Sequence, residues 1–459
     1  MESYIGAAPS TLISQLDYSL KSTAPYVLRR RSVRMYPSSA TSFSPSGTNQ
    51  CRITLAANDE WLDPSTLRFV CTVRNLEDKV LQPVSANPSS LFQRVRELCG
   101  GTVISDVLCY ARTAEVFQHL LEPAEWQFSE GVLGFAGSQF GAWTQKKFDV
   151  FANGAEVDIP DINRHPRPGM IVPNGVFTVV QRLLTGIVKS DKLIPLRVCP
   201  LTYELTLETA SKAFRRNGAL FSQNYSLENC YILCDVLTLD SSIQNSYMKG
   251  LLGGSALSLI IPSYITIDYP ITNASTLAIV VQRALTRNVA VFINFNTEDA
   301  LVTRFVYPVP AIGANNTLTQ MWAAGQGSYH DPISPARPIL NDSTFSFHLQ
   351  LGSKLWPEQP MNSHAEMYET LRKAVGTHNQ DIKNISLDKL DYSTDKFIIG
   401  VDLEKNLGDP FSAENTRAGD VLRLVFNGIE PAAELRHCYV HLIGSSVLEI
   451  RETGAFVFD

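Results

Sequence analysis

Hydrophobic and polar residues alternate without a break between Leu201 and Glu208. A repeat of two residues is typical of a β-strand, because successive side chains of a strand point to opposite faces. The apolar face of this predicted strand carries Leu201, Tyr203, Leu205 and Leu207. The polar face carries Thr202, Glu204, Thr206 and Glu208, which we expect to point into solvent. Such a strand needs an antiparallel sheet around it and a second layer beneath its apolar face.

Most of the remaining chain consists of similar short runs of β-forming residues between turn signals. In the first half, the predicted strands cover residues 51–56, 67–73, 90–98, 102–107 and 231–239. In the second half, they cover residues 258–271, 289–295, 345–351, 397–403, 421–426, 438–443 and 447–450. Residues 124–176 have no clear period, and we interpret them as a long surface loop. The chain is therefore predicted to be all-β.

Three short segments beyond the N-terminal region have helical spacing instead. The first places Ala114, Phe117, Leu120 and Leu121 on one face. The second spans residues 241–252 and precedes a pair of glycines, which commonly end a helix. The third begins at a capping box formed by Ser363 and Glu366 and ends at Gly376.

The two halves of the chain repeat one order of elements. The segments SLFQRVREL and TAEVFQHLL in the first half correspond to STFSFHLQL and HAEMYETLR in the second. Their Ala-Glu pairs, Ala114-Glu115 and Ala365-Glu366, are 251 residues apart. Because the strand order matches around both pairs, we predict two copies of one β-sandwich unit. The predicted division is an N-terminal arm at 1–45, a first sandwich at 46–240, a helical connector at 241–254 and a second sandwich at 255–459.

The composition favours a protein that buries much of its surface against neighbours. Only 18% of the 459 residues are charged, 44% are hydrophobic and the formal net charge is −6. A chain with this charge is not expected to coat nucleic acid through bulk electrostatics. No apolar run is long enough to predict a transmembrane helix, and the N-terminus lacks the pattern of a signal peptide. The eight cysteines have no clustered spacing, so we expect reduced, mostly buried thiols.

The sequence contains no motif of catalysis, nucleotide binding or metal binding. It has no P-loop, no HExxH or GxSxG motif, and no cysteine pairs at the spacing of a zinc site. His437 and His441 are too far apart on a strand to share one ion, so we interpret them as packing or surface residues. Glu204 and Glu208 are weak candidates for a hydrolytic carboxylate pair because both are expected to face solvent. We therefore predict no catalytic residue, no cofactor and no metal.

Several short stretches occur in an order and spacing that resemble one family. These stretches are LDPS at 62–65, SLF at 90–92, SDKLIPL at 190–196, residues 201–207, LDS at 239–241, GSKLWP at 352–357, Ala365-Glu366, LRK at 371–373 and LEIRETG at 448–454. The chain resembles the double jelly-roll major capsid proteins of the adenovirus-hexon lineage, most closely those of polinton-like viruses and virophages. The resemblance runs from about residue 43 to the C-terminus and leaves out the arm and residues 124–176.

This resemblance implies a structural role and a fold of two tandem eight-stranded jelly-roll sandwiches with short helices in loops. In this family three chains form a homotrimer that looks six-sided from outside, and these capsomers tile the faces of an icosahedral shell around the genome. The implied partners are neighbouring capsomers and the penton and minor capsid proteins. The implied location is the virion, after synthesis in the host cytoplasm and assembly in the cytoplasm or nucleus.

The predicted arm combines an apolar helical face with a cluster of cations. The helical face carries Leu12, Ile13, Leu16 and Leu20. The cations are Arg29, Arg30, Arg31 and Arg34. Taken alone, the arginines are interpreted as part of a solvated linker. In the resembling family the N-terminal segment lies on the interior side of the shell. We therefore hypothesise that the apolar face packs against a neighbouring trimer and that the arginines meet encapsidated DNA or an inner membrane.

Two other classes of protein remain open. One is a carbohydrate-binding or hydrolytic β-sandwich enzyme of two domains, which would act as a monomer or dimer on a sugar. The other is a trimeric, β-rich receptor-binding protein. The oligomeric state separates the enzyme from the shell protein, which we expect to purify as a stable trimer.

Overall fold

The computed structural model describes most of the chain from residue 27 onward. The described residues are 27–121, 133–135, 171–214, 222–296, 345–377, 385, 387, 392, 396–417, 421–429 and 435–458, except positions 58, 80, 82, 86 and 273. The predicted helical face of the arm and most of the predicted loop at 124–176 lie outside these residues. So do the side chains of residues 119 and 120.

Ten strands occur in the first half of the described chain. They are β1 Val27–Met35, β2 Ser42–Phe43, β3 Gln50–Leu55, β4 Trp61–Asn75, β5 Phe92–Cys99, β6 Thr102–Leu108, β7 Val176–Gln181, β8 Ile194–Pro195, β9 Leu201–Leu207 and β10 Tyr225–Leu239. Nine follow in the second half. They are β11 Leu257–Pro270, β12 Thr276–Val280, β13 Asn288–Asn296, β14 Ser346–Leu351, β15 Lys354–Met361, β16 Ile398–Asp402, β17 Leu422–Asn427, β18 His437–Arg451 and β19 Gly454–Phe458.

The helices are short and lie between strands. They are α1 Tyr110–Glu115, continued by a π-helical turn at Val116–Leu120, α2 Ala210–Ala213, α3 Ser241–Leu252 and α4 His364–Val375. Single 3₁₀ turns occur at Pro88–Leu91, Ile187–Lys189 and Pro410–Ser412. The three predicted helices after the arm are therefore confirmed.

Each half of the chain forms two antiparallel sheets with the same strand order. In the first half the sheets are β1-β10-β4-β7, to which β2 and β8 add, and β3-β9-β5-β6. In the second half they are β11-β18-β13-β16, to which β19 adds, and β12-β17-β14-β15. When the eight main strands of each half are numbered along the chain, both halves have the sheets 1-8-3-6 and 2-7-4-5. This order defines a jelly roll, and the predicted pair of eight-stranded sandwiches is confirmed.

The helices α1 and α4 have the same place in this order. Helix α1 follows the β5–β6 hairpin, and α4 follows the β14–β15 hairpin. Half of the predicted capping box of α4 is present, because the Glu366 amide donates to Ser363 Oγ over 3.2 Å. Glu366 Oε2 accepts from the amide of Asn362, one residue before the N-cap, over 2.8 Å. Gly376 ends the helix in a left-handed conformation, with a φ of 79°. The repeat seen in the sequence therefore corresponds to a repeat in topology.

Strand β9 occupies the centre of its sheet, between β3 and β5. Its predicted apolar residues all point into the first core. The expectation that Glu204 and Glu208 face solvent is wrong, because each is only 9% exposed. Glu204 lies between Arg52 and Arg96 of the neighbouring strands, with N–O distances of 3.7 and 3.0 Å, and these long side chains cover it.

The predicted arm is too long, because its second part belongs to the first jelly roll. Strand β1 pairs with β10 in antiparallel register from Val27 opposite Leu239 to Met35 opposite Ile232. Val33 and Met35 pack against the first core, so the run containing the arginines has the alternation of a strand. Residues 27–35 of the predicted arm therefore belong to the first sheet.

The two jelly rolls share packing contacts. The first core, formed mainly by β1–β10, also includes Leu259, Ile261, Leu448 and Ile450 of the second half. The second core includes Val116 and Leu121, which come from the end of α1 and its π-helical turn. Because each core contains residues of the other half, the two sandwiches are held in one fixed arrangement.

One pair of cysteines is oxidised, contrary to the expectation of reduced thiols throughout. Cys99 at the end of β5 forms a disulfide with Cys199, which precedes β9, and their Cα atoms are 5.3 Å apart. The other six cysteines are free. Five of these are buried, as predicted, and Cys109 is partly exposed.

Candidate assembly surfaces

The four predicted arginines lie on β1, at the edge of the first jelly roll. Arg30 and Arg34 point outward on the same face as Ser32, whereas Val33 and Met35 point to the core. The outer edge of β1 has no strand beside it among the described residues. An exposed edge strand with unpaired backbone groups is a place where another chain can pack.

Two of the arginines are already paired with carboxylates of their own jelly roll. Arg30 donates from Nε to Asp235 over 2.7 Å and has a second carboxylate, Asp63, at 3.3 Å. Arg31 binds both oxygens of Glu60, at 2.7 and 2.6 Å. The Arg30 guanidinium also lowers the pKa of Asp235 through their hydrogen bond. These pairs reduce the charge that the strand offers to any external anion.

Arg34 has a different environment. Its guanidinium lies over the ring of Tyr231 on β10, 5.0 Å from the ring centre. Tyr36 packs against the same ring, with the two ring centres 5.6 Å apart, and is 61% exposed. Arg34 forms no ion pair with any residue of the described chain. Two tyrosines and an arginine on an open surface are the side chains most enriched at the centres of protein interfaces.

A second surface is already occupied within the chain, where α1 lies on the outer face of the β11-β18-β13 sheet. Phe117, in the π-helical turn that continues α1, packs edge-on against Phe292 and His441, with ring centres 5.0 and 5.9 Å apart. It also contacts Tyr264 of β11. Arg112 lies over the ring of Tyr439 at 4.6 Å. Aromatic and cation–π contacts of this kind add to the apolar burial between the two jelly rolls.

Polar groups complete this junction. Thr113 Oγ1 of α1 lies 2.6 Å from Thr266 Oγ1, which in turn lies 2.8 Å from His441 Nδ1. His441 Nε2 lies 3.0 Å from Asn294 Oδ1, so Nε2 carries the proton and donates to that amide oxygen. Burial lowers the pKa of His441 to about 3, so the ring is neutral and its Nδ1 accepts from Thr266. The chain of bonds runs from one jelly roll into the other.

The sequence analysis did not identify this junction as a contact site. The repeat in the sequence gave no sign of it: Ala114 and Glu115 repeat as Ala365 and Glu366, yet the structure buries the first pair and exposes the second. A helix that is buried on all sides must have a second surface above it. That surface becomes visible only when the sheets of the second jelly roll are in place.

The residues considered for chemistry are not assembled into a catalytic or metal site. His437 pairs with Asp268 at 2.8 Å, and His441 is enclosed in the junction. Within the residues described by the structure, no group of three or more His, Cys, Asp or Glu side chains could hold a metal ion. None of the described helices is long and apolar enough to span a membrane.

Two jelly rolls of one topology in a single chain define the double jelly-roll fold. No protein-family model matches the sequence, and no curated protein matches it. Among solved structures, the chain is similar to VP54 of the virus PBCV-1, as fitted into a reconstruction of the virophage Sputnik. The TM-score is 0.60 at 12% identity, over 95% of this chain and 98% of that chain.

Two further similarities point to the same fold. The cryo-EM structure of the Sputnik virophage matches with a TM-score of 0.58 at 9% identity, over 98% of this chain and 92% of that one. The Faustovirus major capsid protein matches with a TM-score of 0.52 at 8% identity, over 95% and 92%. At these identities the likeness shows the fold, and it confirms the resemblance found in the sequence at that level.

Proposed function

We propose that the chain is a viral major capsid protein with a structural role in an icosahedral virion. The observation that carries this proposal is the pair of jelly rolls with identical strand order, packed against each other through α1. The same fold extends over nearly the whole length of capsid proteins from virophages and large viruses. A building block of this kind needs extensive contact surfaces and no reaction chemistry.

The capsomer we propose is a homotrimer with pseudo-hexagonal shape. Each chain supplies two sandwiches of the same topology, so three chains supply six similar units around one axis. In this proposal the trimers tile the faces of the shell, and their partners are neighbouring capsomers and the penton and minor capsid proteins. The low proportion of charged residues, 18%, suits such repeated contacts.

The described residues do not favour the hydrolase alternative. Glu204 and Glu208, the two carboxylates considered for that role, are each only 9% exposed, and Glu204 is also paired with two arginines. A trimeric receptor-binding or carbohydrate-binding protein remains the second candidate, although no described cluster of side chains specifically supports it.

The N-terminal segment is proposed to act in assembly. Leu12, Ile13, Leu16 and Leu20 precede the described residues, and we propose that their apolar face packs against a neighbouring capsomer. Arg29, Arg30, Arg31 and Arg34 remain a predicted contact for encapsidated DNA or an inner membrane. Because Arg30 and Arg31 already pair with carboxylates, Arg29 and Arg34 would supply most of that attraction, which should weaken with salt.

Mass photometry and electron microscopy of the purified chain test the capsomer. We expect one species at three times the chain mass of 50.8 kDa, with six-sided particles of uniform size. Interfaces that hold such trimers usually bury more than about 2,000 Å². A uniform monomer at micromolar concentration would contradict the proposed function.

A further inference from the structure

The contact between the two jelly rolls is directional, because the two surfaces that meet are different. The first jelly roll contributes the helix after its fifth main strand, α1, and the second contributes the outer face of its β11-β18-β13 sheet. Every residue of Tyr110–Glu115 is buried in this contact and against its own core. A row of units joined by directional contacts has one uncovered contact surface at each end. Such units form a closed ring when the rotations from one unit to the next add up to a full turn.

The first unused surface is α4, the counterpart of α1 in the second jelly roll. Only Met367 and Leu371 of this helix are buried, and both point to their own core. The opposite side of α4 is open to solvent. Its exposed residues are Ala365, Glu366, Glu369 and Lys373. No described element covers this side, in contrast to α1.

The second unused surface is the outer face of β1 and β10, the counterpart of the face that α1 covers. In the second jelly roll, Thr266 and His441 on that face are buried under α1. In the first jelly roll, β1 exposes Arg30, Ser32 and Arg34 at the corresponding positions in the strand order. Tyr36 and Tyr231 lie beside them.

We propose that α4 of one copy packs on the outer face of β1 and β10 of a second copy, as α1 packs on the second jelly roll within the chain. The inference rests on the proposed trimer and names the surfaces that close it. Glu366 and Glu369 on α4 have charges opposite to those of Arg30 and Arg34 on β1. Arg34 is the available partner, because Arg30 is held by Asp235 and Asp63.

A charge exchange tests this contact. Glu369 is half-exposed and pairs only with Arg372 of its own helix among the described residues, at 3.3 Å, so its replacement leaves the core intact. We expect Glu369→Arg and Arg34→Glu each to raise the concentration at which trimers dissociate by at least about tenfold, because like charges then meet. The double variant Arg34→Glu/Glu369→Arg should recover most of this loss. Lys249→Glu on the exposed side of α3 is the matched control and should leave dissociation unchanged.

A crosslinking experiment locates the contact directly. Co-expression of a chain carrying Ala365→Cys with one carrying Ser32→Cys should give covalent dimers on mild oxidation, whereas either variant alone should not. Both positions are exposed, so neither change disturbs a core. Circular dichroism and thermal unfolding verify that each variant is folded before its oligomeric state is measured.

The outcomes separate this inference from the proposed function. A wild-type chain that is monomeric would overturn the trimer itself. If the wild type is trimeric but Glu369→Arg leaves trimer dissociation unchanged, or the co-expressed cysteine variants form trimers without a crosslink, then the α4–β1 contact is wrong and the capsid role still stands. If Arg34→Glu keeps the trimers intact but abolishes binding of DNA at low salt, then β1 binds DNA and the proposed contact with α4 is wrong.

Discussion

At the scale of single residues, burial decides which groups can carry charge. Glu97 on β5 is fully buried and accepts hydrogen bonds from the Tyr203 hydroxyl, from Thr185 Oγ1 over 3.2 Å and from the Ile187 amide over 3.2 Å. Burial raises the pKa of Glu97 to about 7, although these three donors act in the opposite direction. The hydrogen bonds of this carboxyl group connect the loop after β7 to β5. Because its pKa is raised, the stability of the first jelly roll depends on pH.

We expect the stability of the first jelly roll to fall as the pH rises through this range. The Glu97 carboxyl has a pKa near 4.5 in the unfolded chain and about 7 in the folded one. Its contribution to the free energy of unfolding is therefore fully present below pH 4.5 and is lost between pH 4.5 and 7. The loss should reach about 3 kcal/mol at most. Urea unfolding of wild-type protein and Glu97→Gln at several pH values measures it, and the variant should lose this part of the pH dependence. If the free energy of unfolding changes equally with pH in both proteins, then Glu97 is not the source of this pH dependence.

At the scale of elements, β1 packs one face against the core of the first jelly roll and exposes the other face. Its core face packs Val33 and Met35 opposite Cys234 and Ile232, whereas its outer face carries Arg30 and Arg34. A strand that forms the edge of a sheet cannot at the same time be a separate arm. The proposed assembly role of the N-terminal segment is therefore tested on the residues before 27.

Two truncations separate the strand from the segment before it. Deletion of residues 1–26 should leave the jelly rolls folded and the trimers intact but impair shell formation. Deletion of residues 1–40 removes β1, and the lost burial of Val33 and Met35 alone should cost about 3 kcal/mol. Urea unfolding and electron microscopy of assembled particles measure the two effects. Normal shells from the shorter deletion would contradict the assembly role, and unchanged stability in the longer one would contradict the role of β1.

At the scale of the whole molecule, α1 holds the two sandwiches together by packing against both. It belongs to the first jelly roll by sequence, yet Val116 and Leu121 at its end are part of the second core. The threonine, histidine and aromatic contacts of the junction fix the angle between the sandwiches. The proposed capsomer of six units would need that angle to be constant, because any variation would be repeated around the ring.

Phe117→Ala tests this coupling. Removal of the ring leaves a cavity between Phe292, Tyr264 and His441 and should cost about 3 kcal/mol. Differential scanning calorimetry should show a lower melting temperature and separate transitions for the two jelly rolls. Phe411→Ala is the control, because Phe411 is 56% exposed and its loss should change stability by less than about 0.5 kcal/mol. Equal shifts in the two variants would show that α1 does not couple the sandwiches.

The local patterns of the chain were sufficient for the fold class and for much of the element order. Strict alternation identified β9, and helical spacing with caps identified α1, α3 and α4, because these signals depend on neighbours along the chain. The repeat of elements predicted two sandwiches for the same reason. Strands with weak alternation were missed, among them β1, whose arginines conceal its period, and β15, which contains prolines.

The amino-acid sequence alone determined that this chain is all-β, duplicated and without a recognisable catalytic motif, since those properties follow from residue types and their spacing. Only the tertiary structure decided which surfaces remain open. Glu204 was expected in solvent but lies under arginines from strands distant in sequence, and α1 is buried because the second jelly roll lies over it. Burial and charge pairing depend on residues that are far apart along the chain, and local periodicity carries no information about such pairs.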